Sequence, residues 1–212
     1  TAGELGTYIS LTGCDIDNDG DVDIFVGNLA GDIYFLKNSG TAQNAAFQVV
    51  LPTDSANPLA NVDVGAQHTV PTCADLNQDG LLDVVIGDAY GLTYFLNKGT
   101  KENPTLTQLD ATSNANPLRH RDTGNYNHPC IADIDGDFDV DIVVGNSNGE
   151  LVAGLNPLAQ YSERLGCFAR GTFVHTAEMA QLLSAPLFSC ICGPKWDSDS
   201  GCTECTLGRW GD

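Results

Sequence analysis

The sequence predicts an all-β protein of three propeller-blade-like units in tandem, followed by a small disulfide-rich C-terminal module. Three observations lead there. A nine-residue acidic window recurs at 15–23, 75–83 and 133–141, its first residues Asp15, Asp75 and Asp133 lying 60 and 58 positions apart. Each window is followed by a short apolar run that ends in glycine, Gly27, Gly87 or Gly145. Five of the eight cysteines fall in the last third of the chain, beyond these units. Self-similarity at a fixed period of this size is the signature of a repeat architecture.

The windows read DIDNDGDVD, DLNQDGLLD and DIDGDFDVD. The segments behind them read DIFVGNLAGDIYFLKN, DVVIGDAYGLTYFLNK and DIVVGNSNGELVAGLN. Runs such as Ile24–Phe25–Val26 and Val84–Val85–Ile86 are continuous and apolar, as expected of strands covered on both faces. A polar turn with Gly31, Gly91 or Gly149 follows, then Ile33–Tyr34–Phe35–Leu36 or Thr93–Tyr94–Phe95–Leu96. Short β-rich runs joined by glycine-containing turns are hairpin signals. Repeats holding several such strands suit propeller blades. The third unit decays, with Val152, Ala153 and Gly154 where Tyr34, Phe35 and Leu36 stood, as in a terminal blade. Upstream, Asn-Pro-Leu recurs at 57–59 and 116–118, and Tyr8, His68 and Tyr126 share one column.

Asp supplies 22 of the 28 acidic residues, and thirteen of the 22 lie in the three windows. Like charges packed this closely repel unless a cation sits between them. Asp at positions 1, 3 and 5 of a tight loop converges three side-chain oxygens. Position 7 adds a backbone carbonyl, and Asp at position 9 can bind with both oxygens. That makes the 6–8 hard oxygen ligands that Ca²⁺ prefers. The first candidate set is Asp15, Asp17, Asp19, the Asp21 carbonyl and Asp23. The second is Asp75, Asn77, Asp79, the Leu81 carbonyl and Asp83. The third is Asp133, Asp135, Asp137, the Asp139 carbonyl and Asp141, about three ions in all. Leu81 is informative, because an apolar side chain is tolerated where only the carbonyl binds. An EF-hand would need Glu at position 12, where Val26, Ile86 and Val144 stand, and a helix where a β-run follows. Mg²⁺ avoids such all-protein cages, and soft metals avoid an all-oxygen set. The third loop carries Phe138 at position 6, where the others have Gly20 and Gly80 for a left-handed backbone.

The pattern D-x-[DN]-x-D-G-x-x-D, then [IV]-x-[VI]-G, then G-x-x-[YF]-[FL], resembles the FG-GAP/VCBS repeat family, to which integrin α-subunit propellers are broadly related. The resemblance covers about residues 5–156. It implies four-stranded blades with a calcium loop between the first two strands, in a family that is mostly extracellular and adhesive, structural or sugar-binding. A closed propeller has 4–8 blades. Three blades are therefore expected to be part of a larger propeller or stack, or to assemble into one.

The expected organisation is three repeats over 1–156, a connecting segment over 157–189 and a Cys-rich segment over 190–212. Cys14, Cys73 and Cys130 each precede an acidic loop by one to three residues. The even count beside calcium loops suggests disulfides and an oxidising compartment, with buried thiols the alternative for these three. Cys190, Cys192, Cys202 and Cys205 with Trp196 and Trp210 resemble part of an EGF-like or laminin-type module, and are expected to be oxidised. Thr176 is placed to cap a short helix over 177–184.

The balance of 9 Lys+Arg against 28 Asp+Glu, a net charge of -19, excludes a nucleic-acid partner and an anionic membrane surface. No apolar run approaches the length of a membrane span. The four histidines form neither a zincin motif nor a pair, and no nucleophile elbow occurs. The sequence therefore reads as a non-catalytic, secreted or cell-surface module, structural or adhesive, a building block of a larger fibre or coat. Its expected partners are other protein chains or carbohydrate. Tyr126 with Arg119 and Arg121 is the sugar-site candidate of the lectin-like alternative, and an accessory domain of a longer secreted enzyme is the third reading.

Overall fold

The computed structural model describes residues 5–62, 64, 67–113, 116, 118, 123–134 and 140–154, with the backbone of short strands at 174–175, 190–192, 196–197, 201–202 and 205–207. Every regular element among them is a strand. No helix among them is long and apolar enough to cross a membrane. Residues 135–139 of the third acidic loop, the connecting segment other than the strand at 174–175, with its expected helix, and the side chains of the Cys-rich segment lie outside the described residues.

Three antiparallel four-stranded meanders form the body. The first is β1 (Ser10–Cys14), β2 (Asp23–Gly27), β3 (Ile33–Asn38) and β4 (Phe47–Val50). The second is β5 (Val70–Ala74), β6 (Asp83–Gly87), β7 (Leu92–Asn97) and β8 (Leu106–Gln108). The third is β9 (His128–Ala132), β10 (Asp141–Gly145), β11 (Leu151–Gly154) and β12 (Val174–His175). Each acidic window is the β1–β2, β5–β6 or β9–β10 connection. The fourth strand of the third sheet comes from within the segment expected to be a connection. It pairs Val152 with His175 and Ala153 with Val174. In the Cys-rich segment, β13 (Cys190–Cys192) pairs with β16 (Cys205–Leu207), and β14 (Trp196–Asp197) with β15 (Gly201–Cys202).

The register corrects one alignment. In the first blade Ile24 faces Leu36 and Phe25 faces Phe35. In the second Val84 faces Phe95 and Val85 faces Tyr94. Leu36 therefore corresponds to Phe95 and not to Leu96, because five residues separate Gly27 from Ile33 and only four separate Gly87 from Leu92. Side chains alternate across a strand, so this one-residue difference decides which face each aromatic joins. Phe25 and Phe35 pack with ring centroids 5.1 Å apart on the seam between blades one and two. Tyr94 joins the seam between blades two and three.

Those two seams are the core. Phe25, Ile33 and Phe35 meet Val84, Ile86 and Phe95 in the first. Val85 and Tyr94 meet Ile142 and Val144 in the second. Every residue of β6 is buried, which is why its sequence is a continuous apolar run rather than an alternation. The glycine closing that run has a steric cause. A Cβ on Gly27 would collide with the backbone of Thr69, and one on Gly87 with the Asn127 carbonyl and the Pro129 ring. The entry strand of the next blade crosses directly over these glycines. Among the described residues, Gly145 meets only the Leu151 side chain, at 3.7 Å.

Asn-Pro-Leu is the device that closes each seam. Leu59 and Leu118 insert into the first and second clusters. Asn57 and Asn116, both buried, hold them there. Asn57 Nδ2 donates to the Ile33 carbonyl at 2.9 Å and its Oδ1 accepts from the Leu59 amide at 2.9 Å. Asn116 Nδ2 donates to the Asp110 carbonyl at 3.2 Å and its Oδ1 accepts from Leu118 at 2.9 Å. Burying a leucine side chain contributes about 1.5–3 kcal/mol. A disulfide between Cys14 at the end of β1 and Cys73 on β5 spans the first seam. Cys130 is a free, exposed thiol.

Asn57→Ala is expected to cost about 1–3 kcal/mol in denaturant unfolding, the penalty for orphaning a buried carbonyl and amide. A loss below a few tenths would refute the role of this clamp. Alkylation of the folded, unreduced protein is expected to label Cys130 and to spare Cys14 and Cys73, as peptide mass mapping would show.

Candidate metal centre

The first two acidic loops share one backbone trace. Position 2 anchors each to a seam: Ile16 and Leu76 are buried in the first and second clusters. Position 6 is left-handed, with φ of 92° at Gly20 and 86° at Gly80, as the glycines imply. Position 4 is left-handed as well, at Asn18 (53°) and Gln78 (58°), which the sequence reading did not anticipate. The first Asp ties each loop closed: its Oδ2 accepts from the position-6 amide, at 3.2 Å from Gly20 to Asp15 and 2.8 Å from Gly80 to Asp75. The position-7 amide donates to Oδ1 of position 5 at 2.9 Å in both, Asp21 to Asp19 and Leu81 to Asp79.

Position 9 sits at the base, inside the fold. Asp23, Asp83 and Asp141 are buried. Asp23 Oδ1 accepts from the Asn38 amide at 2.7 Å, and Asp83 Oδ1 from the Asn97 amide at 2.8 Å. Asp141 Oδ2 accepts from the Ile134 amide at 3.0 Å. The Tyr94 hydroxyl donates to Asp83 Oδ2 at 2.5 Å. Burial pushes both Asp23 and Asp83 up to about 6, against the pull of these hydrogen bonds, and the other loop carboxylates push the same way. Asn38 and Asn97 also brace the next hairpin, their Oδ1 atoms accepting from Gly40 and Ala46, and from Gly99 and Thr105.

The two loops differ in what remains unsatisfied. In the first, ligand atoms of Asp15, Asp17 and Asp19 lie within 4.8 Å of one another. Asp15 Oδ1, Asp17 Oδ1 and Asp23 Oδ2 are buried and accept no hydrogen bond. Buried polar atoms without a partner are rare, and three acceptors beside one acidic turn fit a cation. These residues therefore suit the ion the sequence anticipates. In the second loop, Asn77 Nδ2 donates to Asp79 Oδ2 at 2.8 Å, and the Asp79 amide donates to Asp75 Oδ1 and Asn77 Oδ1 at 3.1 and 3.0 Å. More of its oxygens are met by the loop's own donors. Of the third set, Asp133 and Asp141 are described, whereas Asp135, Asp137 and Asp139 lie outside the described residues.

One participant escaped the sequence reading. Lys37 Nζ lies 2.5 Å from Asp17 Oδ2. That hydrogen bond, then the surrounding carboxylates, hold its ammonium above the usual lysine range. The signal was the hairpin register: with Ile24 facing Leu36, the next pair outward is Asp23 and Lys37. The corresponding position in blade two is Leu96.

A second cluster lies where each blade is entered. Tyr8, His68 and Tyr126 all adopt left-handed backbone, at φ of 50°, 64° and 54°, so their shared column is a common turn. The His68 ring sits edge-on to Tyr126 at 5.5 Å and to His128 at 5.1 Å. Burial, then the His68 charge, lowers the His128 pKa. Tyr8, Tyr90 and Tyr126 are exposed. Arg119 and Arg121 lie outside the described residues.

Residues 75–144, from the second acidic loop to the strand behind the third, match the model of the FG-GAP-like repeat. Among solved structures, the chain is similar to an Agrocybe aegerita lectin described for specific recognition of non-reducing terminal N-acetylglucosamine. The identity is 21% and the TM-score 0.43, over 78% of this chain and 37% of the lectin chain. No curated protein matches the sequence.

The raised carboxyls fix a sign for pH dependence without metal. Between about pH 4 and 6, folded Asp23 and Asp83 hold protons that the unfolded chain, with carboxyls near 3.8, has released. Their contribution to stability is therefore full at low pH and lost as pH rises towards about 6. Denaturant unfolding in chelator at pH 4.5 and pH 7 checks it. Asp83→Asn is expected to shrink the difference, and an unchanged difference would count against the burial assigned to this carboxyl.

Proposed function

We propose that this chain is a non-catalytic, calcium-rigidified structural or adhesion module of the extracellular space, a building block of a larger fibre or surface assembly. The observation that carries the reading is the set of buried, unpartnered oxygens on Asp15, Asp17 and Asp23 beside Asp19. Asp15, Asp17, Asp19 and Asp23 would hold the ion through side chains and Asp21 through its carbonyl. The second loop would use Asp75, Asn77, Asp79, Asp83 and the Leu81 carbonyl, and the third Asp133, Asp135, Asp137, Asp141 and the Asp139 carbonyl. Bound calcium supplies positive charge that reverses the sign of the repulsion within each loop.

Where the acids sit supports the structural reading over a catalytic one. Of the carboxyls that burial raises, Asp23 and Asp83 are loop groups whose ionised form a cation beside them would favour, and Asp88 accepts from the Tyr90 and Gly91 amides. Assembly is favoured by the faces left uncovered among the described residues. Ile9 and Leu11 of the first blade are exposed at positions whose equivalents, Thr69 and Pro71, are buried by the preceding blade. At the other end, Gly145 keeps the residue type that a following blade requires. These faces suit further blades of the same pattern. A second reading, carbohydrate binding, is favoured by the aromatic and imidazole cluster of Tyr126, His68 and His128. Glycan-array binding that is lost in Tyr126→Ala would support it.

Calcium that binds only the folded state stabilises it by about 2.7 kcal/mol per site at 100-fold over Kd. The melting temperature is therefore expected to fall on chelation and to recover with calcium. Asp19→Ala should lower it in calcium more than Asp137→Ala, since the third loop lacks Gly at position 6. A melting temperature indifferent to chelation would end the calcium reading.

A further inference from the structure

We propose that Lys37 is a tethered cation that neutralises the first acidic loop in the metal-free protein and is displaced when calcium enters, so that it sets the calcium level at which this loop fills. The inference rests on the calcium reading of that loop.

Of the first two blades, only blade one has this geometry. The β2–β3 register brings Lys37 opposite Asp23, and its Nζ reaches Asp17 Oδ2 at 2.5 Å. Asp17 is a predicted ligand, so the ammonium occupies an oxygen that the metal needs. The compensation is incomplete. One charge on one oxygen leaves Asp17 Oδ1, Asp15 Oδ1 and Asp23 Oδ2 without partners. An ammonium on a flexible stem is a compact point charge that satisfies a ring of acceptors poorly, whereas Ca²⁺ takes 6–8 oxygens at once.

The side chains are arranged for exchange. That of Asp17 is 15% exposed and that of Lys37 is 45% exposed, so the lysine can swing into solvent without unpacking a seam. Leaving the ammonium beside a divalent ion would set like charges a few ångströms apart, a repulsion that grows as water is excluded. Calcium entry and lysine release are therefore coupled. Blade two has Leu96 at this register position, and the amides of its loop meet many of its oxygens instead. The first loop thus carries five Asp and a built-in competitor, whereas the second carries three Asp and, among the described residues, no lysine paired with them. Counting carboxylates alone would overstate the calcium affinity of the first loop.

The experiment is calorimetric titration of the whole, metal-stripped chain with CaCl₂. Lys37→Met keeps the stem and removes the charge, and is expected to tighten one site about tenfold while leaving the others unchanged. Lys37→Arg should stay near wild type. Lys101→Met, at a lysine whose stem lies beside Gly80 in the second loop, should reproduce none of the gain. A measurement on the wild-type chain covers a variant that folds poorly. Reductive methylation of Lys37, read by mass spectrometry of proteolytic peptides, should be slower in chelator than in calcium, with Lys101 unaffected. Unchanged or weaker binding by folded Lys37→Met, or equal labelling of Lys37 with and without calcium, overturns the proposal alone. If neither wild type nor Lys37→Met takes up calcium at the first loop, the calcium reading falls and this inference with it.

Discussion

Each blade has two apolar faces and can bury neither alone; the rest of the structure follows from that. A four-stranded sheet with Phe25 and Phe35 on one side, and Val26 and Leu36 on the other, needs a neighbour on each face. Among the described residues blade two supplies it on the Phe25–Phe35 side, and stacking in turn dictates the finer sequence. The second blade is covered on both sides, so β6 is apolar throughout. The crossing strand needs room, so the run ends in glycine. The gap left where one sheet hands over to the next is filled by a leucine held on a buried asparagine. Stability here is a sum of nearest-neighbour seams rather than the property of one central core.

The acidic loops are coupled to those seams at two points. Position 2 inserts a branched apolar side chain into the cluster below, and position 9 buries a carboxylate against the backbone of the third strand. The exposed tip, where charge accumulates, is therefore mounted on the buried part of the blade. Any change in charge at the tip is felt by the packing beneath, because Asp23 and Asp83 belong to both.

Much of this was legible in the sequence because it repeats. Three copies of one pattern expose which positions are fixed, and the loops, glycines and β-runs stand out. What was not legible depends on pairing across space. A turn one residue shorter in blade two shifts Leu36 onto Phe95, which no ungapped comparison of the strings reveals. The fourth strand of the third sheet, Val174–His175, is too short and too remote in sequence to carry a pattern of its own. Asn-Pro-Leu was visible as a recurrence, but its purpose is a buried asparagine that bonds an upstream carbonyl, Ile33 or Asp110, and fixes the leucine amide two residues on. The meeting of Lys37 with Asp17 required a hairpin register. Cys14 and Cys73 were grouped by their place before the loops, yet their pairing joins non-equivalent positions: Cys14 corresponds to Ala74, and Cys73 to Gly13.

That disulfide has a mechanical consequence. It encloses a sequence separation of 59 residues, holding β2, β3, β4 and the Asn57 clamp within one covalent ring. Tension applied through the ends of the chain would pass from Cys14 to Cys73 through the sulfur bridge and bypass everything between. Under load, the strands inside the ring would neither bear force nor add their length to the extended chain. The part of the molecule that carries the first acidic loop would keep its shape while blades outside the ring yielded first.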